Sequence, residues 1–296
     1  MNQTLSQKTA LVTGATSGIG YQAALDLARA SAFVIGTGRD PARCQRALEA
    51  IQGAVPHAQV EFLCADFSSL QPVRDLADKA MGILSARDSA QLDVLVNNAG
   101  LYSSAKKMTA DGVEMTFAVN HLAPFLLTHL LLPALERSPD ARVLTVSSSS
   151  HYRVFFPPAQ PHDPGIYIGI WAYAVSKLCN VLFSAEFNRR VNHDTGVRAW
   201  AVDPGLVNTD IGGKDGGFLS GLVWRSRQKI GTSAEVPSRT ILHLASALLE
   251  EVTSNLYWKD SQPKTPSHLS SNTHLARDLW EKSCRLCEIG DYFPKI

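Results

Sequence analysis

The stretch Thr13-Gly14-Ala15-Thr16-Ser17-Gly18-Ile19-Gly20 follows a short apolar run, Ala10, Leu11 and Val12, and opens into apolar residues at helical spacing from Ile19 onward. It reads as a strand, a glycine turn and the N-terminus of a helix. Gly14 lets the chain turn sharply off the strand, Gly18 lets a pyrophosphate approach the main chain, and Gly20 removes a side chain where helix and sheet pack closely. The unpaired N–H groups and positive dipole end of such a helix suit phosphate oxygens. An ordinary strand-to-helix turn shows the same glycines, so the rest of the chain decides between the two.

Outward from this turn, strand-like and helix-like patterns alternate, the signature of a doubly wound parallel α/β sheet covered on both faces. Further strands are expected at 32–37, 60–65, 92–96, 142–146, 197–202 and 255–259, and helices at 21–30, 46–51, 113–135, 171–190, 233–249 and 275–287. Ser68 and Ser69 are placed to cap the helix after the third strand. Pro124 lies inside the pattern at 113–135, which predicts displaced backbone near Asn120. Four serines, Ser147 to Ser150, end the fifth strand, and Pro157, Pro158, Pro161 and Pro164 mark an irregular excursion beyond it.

With 296 residues, 45% of them hydrophobic, the chain fits one large domain. A net charge of +1 with scattered basic residues gives no footprint for nucleic acid or an anionic membrane. Met1 to Lys8 lack the apolar core of a signal peptide, and no uninterrupted apolar run has bilayer-spanning length, so a cytoplasmic protein without a transmembrane segment is expected. Five cysteines at irregular spacings argue for free thiols. Cys284 and Cys287 form a C-x-x-C, but no second pair completes a metal site, and none is expected.

Taken together, the motifs resemble those of the short-chain dehydrogenase/reductase family over nearly the whole chain. They are T-G-x-x-x-G-x-G at Thr13 to Gly20, Asp66 after the third strand, N-N-A-G at Asn97 to Gly100, Asn120, the serine run, Tyr173-x-x-x-Lys177, and Pro204-Gly205. The phrases V-N-H-L-A-P-F-L-L-T, A-Y-A-V-S-K-L-C-N-V-L-F and D-P-G-L-V-N-T look most like the retinol-dehydrogenase-like branch. The resemblance implies a single Rossmann domain that transfers hydride between NAD(P)(H) and a carbonyl or alcohol.

Tyr173 and Lys177 are four apart, so a helix puts both on one face. On the resemblance, Tyr173 is the acid that protonates the substrate oxygen. A phenol ionises near pH ~10, so it needs a neighbouring cation such as Lys177 to exchange protons near neutrality. Ser148 is the serine that orients the carbonyl, and Asn120 holds a water linking Lys177 to solvent. Asp66 takes the adenine amino group, and Asn97, Ala99 and Gly100 line the adenosine ribose. Gly14, Thr16, Ser17, Gly18, Ile19, Gly20, Arg39, Phe67, Pro204, Gly205 and Val207 complete the cofactor set, with Thr209 on the nicotinamide carboxamide. His121, His151 and His162 have no motif around them and read as structural or exposed.

NADP is expected over NAD, which remains possible. The second strand ends in Gly38 rather than an acid, and Arg39 and Arg43 follow for a 2′-phosphate. Ser17 stands where a basic residue often precedes the second glycine, which weakens the preference. A bulky apolar substrate is expected beneath a flap at about 205–230, with Phe155, Phe156, Ile166, Tyr167 and Trp171 forming the opposite wall. Alternative readings are a light-dependent tetrapyrrole reductase and a dinucleotide-binding module without catalysis. The resemblance leaves monomer or homodimer open: members pair through the helices carrying Asn120 and Tyr173, and an insertion before the tyrosine opposes that packing.

Overall fold

The computed structural model describes residues 4–87, 90–158, 160–191, 195–205 and 233–293, and gathers the apolar runs into one eight-stranded sheet. Strands β1 (Thr9–Val12), β2 (Phe33–Gly38), β3 (Val60–Cys64), β4 (Val94–Asn97), β5 (Arg142–Val146), β6 (Arg198–Asp203) and β7 (Tyr257–Lys259) are parallel. β8 (Gln262–Pro263) returns antiparallel to β7. It escaped the sequence reading because a lone glutamine and proline carry no strand signal. The order β3-β2-β1-β4-β5-β6-β7-β8 reverses between β1 and β4, and this switch point opens the ligand crevice at the carboxyl ends of the strands.

The helices are α1 (Gly18–Arg29), α2 (Pro41–Ala54), α3 (Leu70–Ser85), α4 (Met115–Phe117), α5 (Ala123–Leu135), α6 (Gly169–Arg190), α7 (Glu235–Ser246), α8 (Leu249–Val252) and α9 (Thr273–Leu286). One layer packs Ala23 and Leu27 of α1 and Ile241 and Leu244 of α7 against Val12, Val34 and Val96. The other packs α3, α5, α6 and α9 through Leu76, Phe125, Leu182 and Trp280. β1 and β5 are buried throughout, as strands covered on both faces must be. A single sheet shared by both layers makes one domain.

Two helix starts differ from expectation. α2 begins well before Arg46 because Asp40 caps it, accepting from Arg43 N at 2.8 Å, and Pro41 suits the first turn. Ser69 occupies the N-cap of α3 without a side-chain bond; Leu70 N instead donates to Asp111 Oδ2 at 3.0 Å, across 41 residues.

The helical pattern at 113–135 breaks at Asn120, as Pro124 predicts. Residues Ala118–Leu122 form a π turn between α4 and α5, with Ala123 N bonded to Ala118 O. In a regular α-helix, residue 124 would donate to the carbonyl of Asn120; proline has no N–H, so that carbonyl loses its helical partner. Met115–Leu135 is apolar and long enough to cross a membrane by composition alone, but 83% of its most apolar window is buried inside the fold, so it is a core helix.

Candidate active site

Thr13 ties the glycine turn to the neighbouring strand: its Oγ1 donates to Val96 O and accepts from Asn98 N at 2.9 Å and Ala99 N at 3.0 Å. Asn98 Nδ2 donates to Thr13 O at 2.8 Å, clamping the turn from the other side. Gly14 has φ +66°, and a Cβ there would meet Ala99 Cα at 3.0 Å. A Cβ on Gly20 would lie 2.3 Å from Gly14 O, so only glycine lets α1 approach this closely. Gly18 has φ +57°, Ser17 is exposed and makes no capping bond, and no acid lies in the first turn of α1. Such a helix end fits a dinucleotide pyrophosphate. Thr13 and Asn98 were missed as positioning residues, although the motifs contain both.

Three assigned residues turn inward. Asn97 is buried and its Nδ2 donates to Thr128 Oγ1 at 3.1 Å, so its side chain joins β4 to α5 instead of lining the ribose. Phe67 buries its ring in the core with Val73 and Leu76, and Ile19, in the first turn of α1, packs into the core with Val12 and Val34. Asp66 Oδ1 accepts from Ser68 N at 3.0 Å. Val207, Thr209 and the flap beyond Gly205 lie outside the described residues.

Lys177 is buried; its Nζ donates to Val146 O at 3.0 Å and sits 5.7 Å from the centre of the Tyr173 ring. Burial lowers its ammonium from 10.5 to about 8. Ser147 Oγ donates to Lys177 O at 2.7 Å and Asn180 Nδ2 to Val146 O at 3.1 Å, which locks α6 onto the end of β5. Asn120 is fully buried: Oδ1 accepts from Leu101 N, and Nδ2 donates to Leu101 O and to Ser176 Oγ at 3.0 Å. Ser176 in turn donates to Tyr173 O. A Cβ on Gly100 would lie 3.2 Å from Asn120 Oδ1 and 3.4 Å from Lys177 Nζ, so glycine keeps open the gap between them. Tyr102 meets Tyr173 edge-on at 6.1 Å.

Ser148 is partly exposed, accepts from Ser150 N at 3.1 Å and donates to Ser150 Oγ at 3.2 Å. Its main chain is held by a network the sequence did not reveal. His151, fully buried, accepts from Ser267 N at Nε2, so its proton is on Nδ1 and is donated to Ser148 O at 2.8 Å. Burial pushes the imidazole below its ordinary pKa. Asp203 accepts from Ser149 N and Oγ, from Gly205 N at 3.0 Å and from Lys264 Nζ at 3.0 Å. Burial alone would raise that carboxyl, but the bonds from Ser149, Gly205 and Lys264 outweigh it and hold it below the usual range. One carboxylate thus joins the serine loop, the Pro204-Gly205 turn and the segment after β8.

At the adenosine end, β2 stops at Gly38, whose Cβ position is filled by Thr16 and Cys44. Arg39 is exposed just beyond it, and Arg43 is half-buried. The excursion ahead of α6 carries an exposed apolar rim: Phe155 (82% exposed), Phe156, Ile166 (86%) and Ile168. Phe156 stacks on Trp171 at 4.8 Å. Tyr167, expected in this wall, instead turns inward and donates to Ser103 O at 2.9 Å. Lys106 bonds Asp163 and Pro164 O, pinning the base of the rim.

The family model for short chain dehydrogenase matches residues 8–216. Retinol dehydrogenase 12 of Bos taurus is 37% identical over 284 residues, 95% of this chain and 87% of its own length. Human polyprenol dehydrogenase is 33% identical over 297 residues, covering 96% of this chain and 86% of its own. An uncharacterised protein from Mycobacterium paratuberculosis has a crystal structure that superposes with TM-score 0.71 at 30% identity, covering 99% of this chain and 97% of its own. With the cradle, the buried lysine and the tyrosine on one helix face, these likenesses place the chain in the short-chain dehydrogenase family, in its retinol-dehydrogenase-like branch, as an NAD(P)-dependent oxidoreductase acting on alcohol and carbonyl groups.

Proposed function

We propose that the enzyme interconverts a bulky apolar aldehyde or ketone and its alcohol, with NADP(H) as preferred cofactor. When bound, the dinucleotide supplies or accepts the hydride. Tyr173 gives its phenolic proton to the substrate oxygen in reduction and takes it back in oxidation. The Lys177 ammonium beside its ring favours the phenolate and so eases that exchange. Ser148 donates to the same oxygen and orients it. A water in the gap at Gly100, between Asn120 Oδ1 and Lys177 Nζ, completes the path by which the proton is replenished.

The observation that carries the substrate reading is the apolar rim ahead of Tyr173, which leaves Phe155 and Ile166 exposed to solvent. Relatives named for retinol and polyprenol, both long apolar alcohols, support it. Arg39 and Arg43 support NADP: the nearby Asp40 spends Oδ1 on capping α2, and the two arginines directly follow β2, one just beyond its end and one in the first turn of α2. The test is a series of aldehydes of increasing chain length with NADPH and NADH. Catalytic efficiency is expected to rise with chain length and to be higher with NADPH; preference for short polar aldehydes, or tighter NADH binding, overturns the respective half.

A further inference from the structure

Two thiols meet beneath the corner between β2 and α2. Cys44 Sγ and Cys64 Sγ are 4.0 Å apart, the first buried on α2 and the second exposed at the end of β3. Gly38 and Cys64 are paired in the sheet, and a Cβ on Gly38 would lie 2.8 Å from Cys44 Sγ and 2.3 Å from Thr16 Cγ2. Cys44 and Thr16 of the glycine turn thus crowd the same face of Gly38. Cys44 N donates to Asp40 O and Arg43 N to Asp40 Oδ1, so Cys44 shares the first turn of α2 with Arg43.

We propose that Cys44 and Cys64 form a redox pair that closes to a disulfide under a hydroperoxide and, by drawing the first turn of α2 toward β3, weakens cofactor binding. The second half rests on the reading of Arg39 and Arg43 as the phosphate-binding groups. In the first step the exposed Cys64 sulfur attacks a peroxide oxygen, and the thiol proton passes to the departing oxygen. The O–O bond breaks, the peroxide is reduced to water or an alcohol, and the sulfur is oxidised by two electrons to a sulfenic acid. Cys44 sulfur then attacks Cys64 sulfur, the S–O bond breaks, and the departing hydroxide takes the Cys44 proton as water. Burial and the adjacent Cys64 sulfur push the Cys44 thiol up to about 12, which keeps it protonated and leaves the exposed Cys64 to meet the oxidant first; Cys44 gives up its proton only as it attacks the sulfenic acid 4.0 Å away. A disulfide bond is about 2.05 Å long, so closure must bring the sulfurs about 2 Å nearer, and the shift falls on the turn that carries Arg43.

The test treats the purified full chain with hydrogen peroxide and maps its peptides without reduction. NADPH is titrated by fluorescence before treatment, after it, and after dithiothreitol. The expected result is a peptide cross-linked between Cys44 and Cys64, loss of two of the five thiols, and recovery of both thiols on reduction. NADPH affinity should fall about tenfold on oxidation, the size of one lost charge-assisted contact. Cys64→Ser, a change at an exposed position, should bind NADPH normally and ignore peroxide. Cys64 found only as sulfinic acid, with Cys44 still a free thiol, would overturn the pairing. A cross-link that leaves NADPH affinity unchanged would overturn the coupling. If the reduced protein prefers NADH, the cofactor reading falls while the peptide map still scores the thiol pair.

Discussion

Enclosure of Lys177 among Val146, Gly100 and the Tyr173 ring puts a cation where the phenol needs one. Tyr173→Phe keeps the ring and removes the proton, so turnover should fall by about two orders of magnitude or more while cofactor affinity stays nearly constant. Near-normal turnover in that variant would remove the phenol from the mechanism. Asp203 acts differently, through the loop it holds. Asp203→Asn should cost on the order of 2 kcal/mol in urea unfolding, the scale of hydrogen bonds to a charged group. It should also lower kcat more than it raises KM, because Ser148 is displaced while the apolar rim is untouched. Equal kcat with normal stability would make the clamp incidental.

At the scale of elements, the π turn ahead of α5 gives Asn120 its place against Leu101 and Ser176. Pro124→Ala restores the N–H that a regular helix needs and removes the ring that opposes it. Thermal stability is expected to hold or rise while kcat falls, and a variant with unchanged kcat would show that the widened turn is not required. This break was legible in the sequence because proline acts on its own turn, and the glycine cradle was legible for the same reason: Gly14, Gly18 and Gly20 each answer a local need. The serine clamp was not. Its bonds join residues 54, 61 and 116 apart, and no spacing announces that His151, Asp203 and Lys264 will converge on one loop. Asn97 misled for a related reason: alternation along β4 decides which of two adjacent asparagines faces the core, and a motif does not record that.

Across the whole molecule, α9 and the residues after it cover α5 and α6. Trp280 packs on Phe125 at 5.2 Å and stacks on Phe183 at 5.9 Å, and Tyr292 donates to Phe125 O. From Ala174 to Phe187 no residue of α6 is exposed. The helices through which the family pairs are thus already spoken for, and sedimentation should find a monomer at micromolar concentration; a stable dimer would require a different face. Burial also sets the acid limit. His121, fully buried, is pushed down to about 3, and His129, His151 and His162 are lowered as well, each with burial as the chief cause. Below pH 6.5 the unfolded chain binds protons that the fold refuses, so stability falls as pH falls, by up to about 1.4 kcal/mol per pH unit for the fully buried His121, and by less for the part-buried His129 and His162. Urea unfolding between pH 7 and 5 should show this slope, and His121→Asn should reduce it by one group's share. An unchanged slope in that variant would place the acid sensitivity elsewhere.

The bond from Lys264 to Asp203 carries a consequence for the order in which the enzyme is made. Every residue of the glycine cradle lies within the first hundred positions, whereas the cation that completes the serine loop is translated 61 residues after its carboxylate. At ribosomal speeds of about 5–20 residues per second, that interval lasts roughly 3 to 12 s. During it the nascent chain carries Asp203 without its counter-charge, and α7, which packs over α1 and closes the cofactor layer, is made within the same interval. The serine loop should therefore set after the layer over α1 has closed, with hydride transfer the last capacity the emerging protein acquires.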